Sequence, residues 1–283
     1  MNSPSHASAR TVPVLMYHHV SPSPGPITLS PEHFDAQMRW LAQAGYTTLD
    51  TAAFAGFLAG EPVPEKSVLL TFDDGYLDNY VYGHAALQRH GLNAVMFLVT
   101  GWMGDGPVRA TQGQGALPAT PAHGECEQLI ASGHADDVIV RWSEIESMRA
   151  AGTFEFHSHT HTHTRWDKQC ANASEKRERL AQDIAQSRSR LQQRLGGVSD
   201  HLCWPQGYFD ADYQQVAREA GFKYLYTTRD DARNVPGTDP ARICRIGEKG
   251  RGADWLAQKL WLVRNPLLGG AHYWLKQHQK KKR

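Results

Sequence analysis

Short, continuous apolar runs alternate along this chain with longer stretches whose apolar residues recur every three or four positions. Residues 12–17 (VPVLMY), 68–72 (VLLTF) and 94–99 (AVMFLV) are such runs, the pattern of strands buried on both faces. Ser30-Pro31-Glu32 offers an N-cap with proline at the first helical position. Phe34, Met38 and Leu41 then mark one face of a helix that stops at Gly45. A second helix is expected over 78–90, stopped by Gly91, and a third, capped by Ser143, ends near Gly152. Further along, residues 153–156 lead into a histidine cluster, 201–204, 222–227 and 242–246 read as short strands, and 174–195 and 210–220 as helices. Pro205-Gln206-Gly207 makes a turn. Strands alternating with helices predict βα repeats around a parallel sheet, open or closed, in a single domain.

Two stretches break this rhythm. Residues 100–137 are rich in Gly, Pro, Ala and Thr and lack a period; a segment of that length reads as an insertion over the mouth of the sheet. Residues 254–283 mix Trp, Leu and Tyr with Lys and Arg and end in Lys280-Lys281-Lys282-Arg283. Such a basic amphipathic extension either lies on an anionic membrane surface or packs on the barrel with a solvated end. The expected organisation is a flexible N-terminus over 1–11, a barrel over 12–253, and the extension over 254–283.

Composition changes this picture little. Of 283 residues, 41% are apolar and 21% charged, and the formal net charge of +1 gives no bias towards nucleic acid. Cys126, Cys170, Cys203 and Cys244 form no CxxC pair, so free thiols in a reducing compartment are expected. The first residues lack the apolar core of a secretory signal, and no run of 18 apolar residues occurs. A cytoplasmic protein, peripheral at the inner membrane face through its basic end, is the expectation. Oligomeric state is not legible.

Candidate chemistry sits at the ends of the apolar runs. Thr71-Phe72-Asp73-Asp74-Gly75 places two adjacent carboxylates at the end of a buried strand, where parallel α/β folds bind their ligands. One carboxylate can bind a metal while the other takes a proton; a plain turn with a helix cap is the competing reading. Phe156-His157-Ser158-His159-Thr160-His161-Thr162-His163 carries four histidines at alternate positions. Extended, they share a face; bent, either His157 with His161 or His159 with His163 can converge. One carboxylate with two imidazoles makes a three-ligand cation site with room for water. The first strand ends in Tyr17-His18-His19, and a histidine there can face the mouth as a general acid.

Together these residues resemble the NodB-like polysaccharide deacetylases, carbohydrate esterase family 4. Thr71–Gly75 is similar to that family's first motif, which implies Asp73 as catalytic base and Asp74 as metal ligand. Its His-[Ser/Thr]-x-x-His motif implies His159 and His163 as the remaining ligands, and His157 with His161 fits the same pattern. Zn²⁺ suits these donors, with Co²⁺ and Ni²⁺ as alternatives used by related enzymes. The family's third motif carries an arginine that orients the base, and here Cys203-Trp204-Pro205-Gln206-Gly207 has none. It is similar instead to the subgroup acting on poly-N-acetylglucosamine. That subgroup's leading Met-Tyr-His segment implies His18, rather than His19, as general acid. Arg245 is the candidate for the missing arginine. A backbone N–H near Gln206 or Gly207 is expected beside the oxyanion, and Trp102, Trp142 and Trp204 are candidates to stack on a sugar.

The resemblance covers residues 12–246 and implies a deformed (β/α)7 barrel that releases acetate from an N-acetylated sugar. A glycan, or a lipid-linked intermediate such as one of lipopolysaccharide assembly, would be the substrate. Hydrolysis of a non-sugar amide and a non-catalytic glycan-binding barrel are the competing functions.

Overall fold

The structure, a computed structural model, describes residues 8–248 and 250–280. Its strands and helices are β1 (Val14–Tyr17), β2 (His19–Val20), β3 (Thr28–Leu29), α1 (Pro31–Gln43), β4 (Thr47–Thr48), α2 (Thr51–Ala59) and β5 (Ser67–Phe72). A π-helical turn (Asn79–His84) leads into α3 (Ala85–His90), followed by β6 (Ala94–Leu98), α4 (His123–Ala131), α5 (Trp142–Ala150) and β7 (Phe154–Ser158). Then come α6 (Trp166–Gln169), α7 (Ala173–Leu195), β8 (His201–Cys203), α8 (Ala211–Glu219), β9 (Tyr224–Tyr226), β10 (Ile246–Gly247), α9 (Ala253–Arg264) and α10 (Pro266–Lys280).

The main sheet runs β10-β1-β5-β6-β7-β8-β9, all parallel, with β4 added beside the start of β5. The two ends of the sheet meet through residues 243–246. Ile243 bridges Tyr226, the Arg245 N–H donates to the Arg229 carbonyl at 2.8 Å, and Ile246 then pairs with Leu15. The result is the deformed seven-stranded barrel.

Alternation along the strands sorts the side chains. Val14, Leu69, Val95, Phe97, Cys203, Tyr224 and Tyr226 fill the interior together with Phe54 and Phe57 of α2, which plugs the bottom. Leu70, Phe72, Met96, Leu98, Phe154 and Phe156 face the outer helices. Helix α2 is apolar all round because it is a plug, so it carries no amphipathic period for the sequence to reveal.

Several boundaries differ from expectation. Helix α5 is capped by Arg141, whose backbone N–H donates to Glu144 at 2.8 Å, while Ser143 lies inside the helix and donates to the Gly106 carbonyl. Residues 8–11 of the expected flexible N-terminus are held: Ala9 N–H donates to the Val63 carbonyl and the Thr11 hydroxyl to that of Asn234. Residues 1–7 and the basic residues 281–283 lie outside the described residues. The aperiodic insertion contains α4, which buries only Cys126 and so shows no apolar face in sequence.

Candidate active site

The inward stripe of β5, Leu69 and Thr71, continues to Asp73 at the barrel mouth. The chain then turns sharply: Asp74 and Gly75 both have left-handed backbones, at φ 74° and 83°. The turn throws the second carboxylate away from the first, so the adjacent pair serves two separate places.

Asp73 is buried and gripped by Arg245, with Nη1 donating to Oδ1 and Nη2 to Oδ2 at 2.7 Å each. Burial alone would raise its pKa, but the charge and hydrogen bonds of Arg245 outweigh burial and hold it below the usual carboxylate range. His18 Nε2 stands 3.7 Å from Asp73 Oδ2. Burial lowers the pKa of His18 against the pull of Asp73, which leaves the ring neutral at pH 7.

Asp74 Oδ1 lies 3.3 Å from His159 Nε2 and 3.3 Å from His163 Nε2. His159 Nδ1–H donates to the Cys203 carbonyl at 2.8 Å, so in the neutral ring the Nε2 lone pair faces the carboxylate; without a cation there, and against the effect of burial, the Cys203 contact and Asp74 draw a proton onto His159 and raise its pKa. Asp74 Oδ1 is buried and has no hydrogen-bond partner. An orphaned carboxylate oxygen opposite imidazole lone pairs is an arrangement that a cation completes. These three side chains therefore fit a divalent metal. A second cluster, Asp73 with His159 and Cys203, fits one poorly. Its carboxylate is already neutralised by Arg245, which also approaches Cys203 Sγ at 3.0 Å.

The four histidines separate because the chain is extended first and bent afterwards. His157 and His159 share the inward face of one extended segment, one layer apart. Below the mouth His157 meets Ser199 Oγ at 2.5 Å and Thr51 Oγ1 at 3.3 Å. Thr160 and His163 then adopt left-handed backbones, at φ 65° and 61°, and bring His163 back over Asp74. His161 is directed to Thr100 Oγ1 at 2.9 Å. Asp183 of α7 holds this loop, accepting from the backbone N–H groups of His161 and Thr162 and from Trp166 Nε1. Nothing in a charged helix marks Asp183 for that task.

The cavity above these groups has a volume of about 530 Å³ and is lined by His18, Asp73, Asp74, His159 and His163 among others. Trp102 reaches it, as does Gln206, whereas Trp142 and Trp204 are buried in the core. The Gly207 N–H is taken by the Trp204 carbonyl at 2.8 Å.

One feature of the cavity wall escapes the sequence. His19 is buried, with Nδ1 2.6 Å from Asp78 and Nε2 3.1 Å from His123 Nδ1. Its ring stacks on Tyr76 at 3.8 Å between centroids. His123, at the start of α4, lines the cavity. A carboxylate–imidazole–imidazole chain thus runs from the core to the wall, where α4 folds back over the mouth.

The polysaccharide deacetylase family model matches residues 60–225, more than half of the chain. A Bacillus subtilis protein named as a polysaccharide deacetylase, YxkH, is 39% identical over 89 residues, 31% of this chain and 32% of that protein. That match spans about a third of the relative's length. The poly-β-1,6-N-acetyl-D-glucosamine N-deacetylase of Staphylococcus aureus is 22% identical over 77% of this chain and 67% of its own. The structure of IcaB from Ammonifex degensii superposes with a TM-score of 0.69 at 24% identity, covering 91% of this chain and 99% of that one.

Proposed function

Since the chain belongs to the polysaccharide deacetylase family, we propose that it hydrolyses the N-acetyl group of an N-acetylated sugar and releases acetate. The observation that carries this reading is the division of labour between Asp73 and Asp74. One carboxylate is neutralised by Arg245, and its neighbour offers an orphaned oxygen to two imidazoles, both at one cavity.

Asp74, His159 and His163 would hold the metal. Zn²⁺ suits the two-nitrogen, one-oxygen donor set, with Co²⁺ and Ni²⁺ as alternatives. When bound, such a cation supplies Lewis acidity towards an amide carbonyl and acidifies water.

The chain's own groups move the protons. Asp73 accepts a proton from the water that attacks the acetamide carbon. Arg245 keeps this carboxylate ionised and fixes its orientation. An amine leaves poorly without a proton, and His18 supplies one as the C–N bond breaks. His18 is neutral at rest, so it must take up a proton before it can give one, and the proton gained by Asp73, 3.7 Å away, reaches it through an intervening water or substrate oxygen before passing to the amine. Water and amide become acetate and the protonated amine, with no other reactant. Trp102 offers a ring face beside His163, 5.3 Å between centroids, for the sugar to stack on.

The substrate is a glycan of N-acetylglucosamine type or a lipid-linked intermediate of envelope polysaccharide assembly, met on the cytoplasmic side of the membrane. The S. aureus relative named as acting on poly-β-1,6-N-acetyl-D-glucosamine supports the sugar. The deciding experiment measures bound metal and acetate release from N-acetylglucosamine oligomers and from a lipid-linked N-acetyl sugar. Metal with acetate from either substrate supports the reading and selects between them. A metal-loaded protein inert on both, yet active on a ring amide, would replace it.

A further inference from the structure

Helix α10 is amphipathic in the reverse sense for a helix on the surface of a soluble barrel. Gly269, Tyr273 and Lys276 fall on one side at helical spacing and meet the protein body. A Cβ on Gly269 would lie 2.6 Å from the Leu262 carbonyl oxygen of α9. The Tyr273 hydroxyl and Lys276 Nζ both donate to Asp230, at 3.0 and 2.7 Å. The opposite side carries Leu267, Leu268, Ala271, Trp274 and Leu275, all exposed, with Leu267 at 81% and Trp274 at 57%. Trp261, one turn before the end of α9, is 59% exposed. Polar contacts thus point inward and large apolar side chains outward, which marks a surface made to be covered.

The segment that bears this face is basic: residues 264–283 carry four lysines and two arginines and no Asp or Glu. Where α10 begins, a cavity of about 300 Å³ is lined by Arg10 and by Arg264, which pairs with Glu65 at 3.4 Å, leaving one net positive charge there. Arg233 donates to the Asn265 carbonyl beside it at 3.5 Å. At the other end the sequence reads Lys280-Lys281-Lys282-Arg283. Two copies pairing through this segment would bring like net charge together, so the charge favours an anionic occupant. No described helix is long and apolar enough to cross a membrane. A Trp- and Leu-bearing face in a basic segment, on a helix of 15 residues, suits the headgroup region of a bilayer, lying in its plane.

We propose that the outward face of α10 docks this protein on an anionic phospholipid surface, with Leu267, Leu268, Trp274 and Leu275 at the acyl boundary and the arginines where α10 begins on the headgroups. This inference stands apart from the deacetylase reading, because no residue of the cavity takes part.

The test is co-sedimentation of the full chain with phosphatidylcholine vesicles, with and without phosphatidylglycerol. The protein should sediment with the phosphatidylglycerol vesicles and be released by raised salt. L267S combined with W274S should weaken binding about tenfold or more, with acetate release from a soluble oligomer and the melting temperature unchanged. Replacing residues 280–283 by glutamine should weaken binding mainly at low salt. Quenching of tryptophan fluorescence by brominated lipid gives an independent readout on the unaltered chain. Protein that stays in the supernatant with both vesicles overturns the proposal. So does binding that the double variant leaves intact, or a solution dimer that W274S dissociates.

Discussion

Arg245 holds Asp73 through two parallel hydrogen bonds of 2.7 Å, with both side chains removed from solvent. A planar fork matched to a planar carboxylate fixes the orientation of the base as well as its charge. R245M is expected to lower kcat by about 10- to 100-fold and to destabilise the fold by about 3–5 kcal/mol. R245K keeps the charge without the fork and should fall between. Turnover and denaturant midpoints of both variants check this. Unchanged kcat in R245M would remove Arg245 from the mechanism.

The two adjacent carboxylates should separate cleanly under mutation. D73N is expected to lose about 10²- to 10⁴-fold in turnover while retaining its metal. D74N and H163A should lose the metal itself. Elemental analysis beside acetate release distinguishes the classes, and a D73N protein that arrives metal-free would reverse the assignment.

The buried histidines below the mouth predict sensitivity to acid. His201 stacks on Tyr224 at 4.5 Å between centroids, and burial pushes its pKa down to about 2. An unfolded histidine titrates near about 6.5, so below that pH the unfolded chain takes a proton that the folded one refuses. Stability is therefore full above about pH 6.5 and falls progressively as pH drops from there towards 2. Thermal melts across this window should show a shallower decline for H201F than for the native chain. Parallel declines would acquit His201.

His123 is expected to position substrate, because the chain Asp78–His19–His123 presents a fixed imidazole to the cavity. H123A should raise KM by about tenfold, the loss of one buried polar contact, and leave kcat nearly unchanged. A fall in kcat at constant KM would place His123 in the chemistry instead.

The continuous apolar runs of β1, β5 and β6 were legible because a strand covered on both faces has no polar position to spare. The carboxylate pair was legible because it ends such a run. The choice among the four histidines was not, since it depends on left-handed backbones at Thr160 and His163 that no local residue preference announces. Arg245 could be named only as an arginine in the last apolar segment, because its 172-residue separation from Asp73 is set by barrel closure. His123 lay in a segment without a period, and its place on the wall depends on α4 folding across the mouth.

That closure has a consequence for how the protein comes into being. Residues 243–246 tie β9 to β1 and carry Arg245 between the two. A nascent chain can lay down its earlier strands in the order of synthesis, but the base stays without its arginine until this late segment returns to the first strand. Sealing the barrel and arming the site are one event, and a chain halted before Ile243 would be expected to bury most of its core while its base stays unoriented and its turnover falls far below that of the closed barrel.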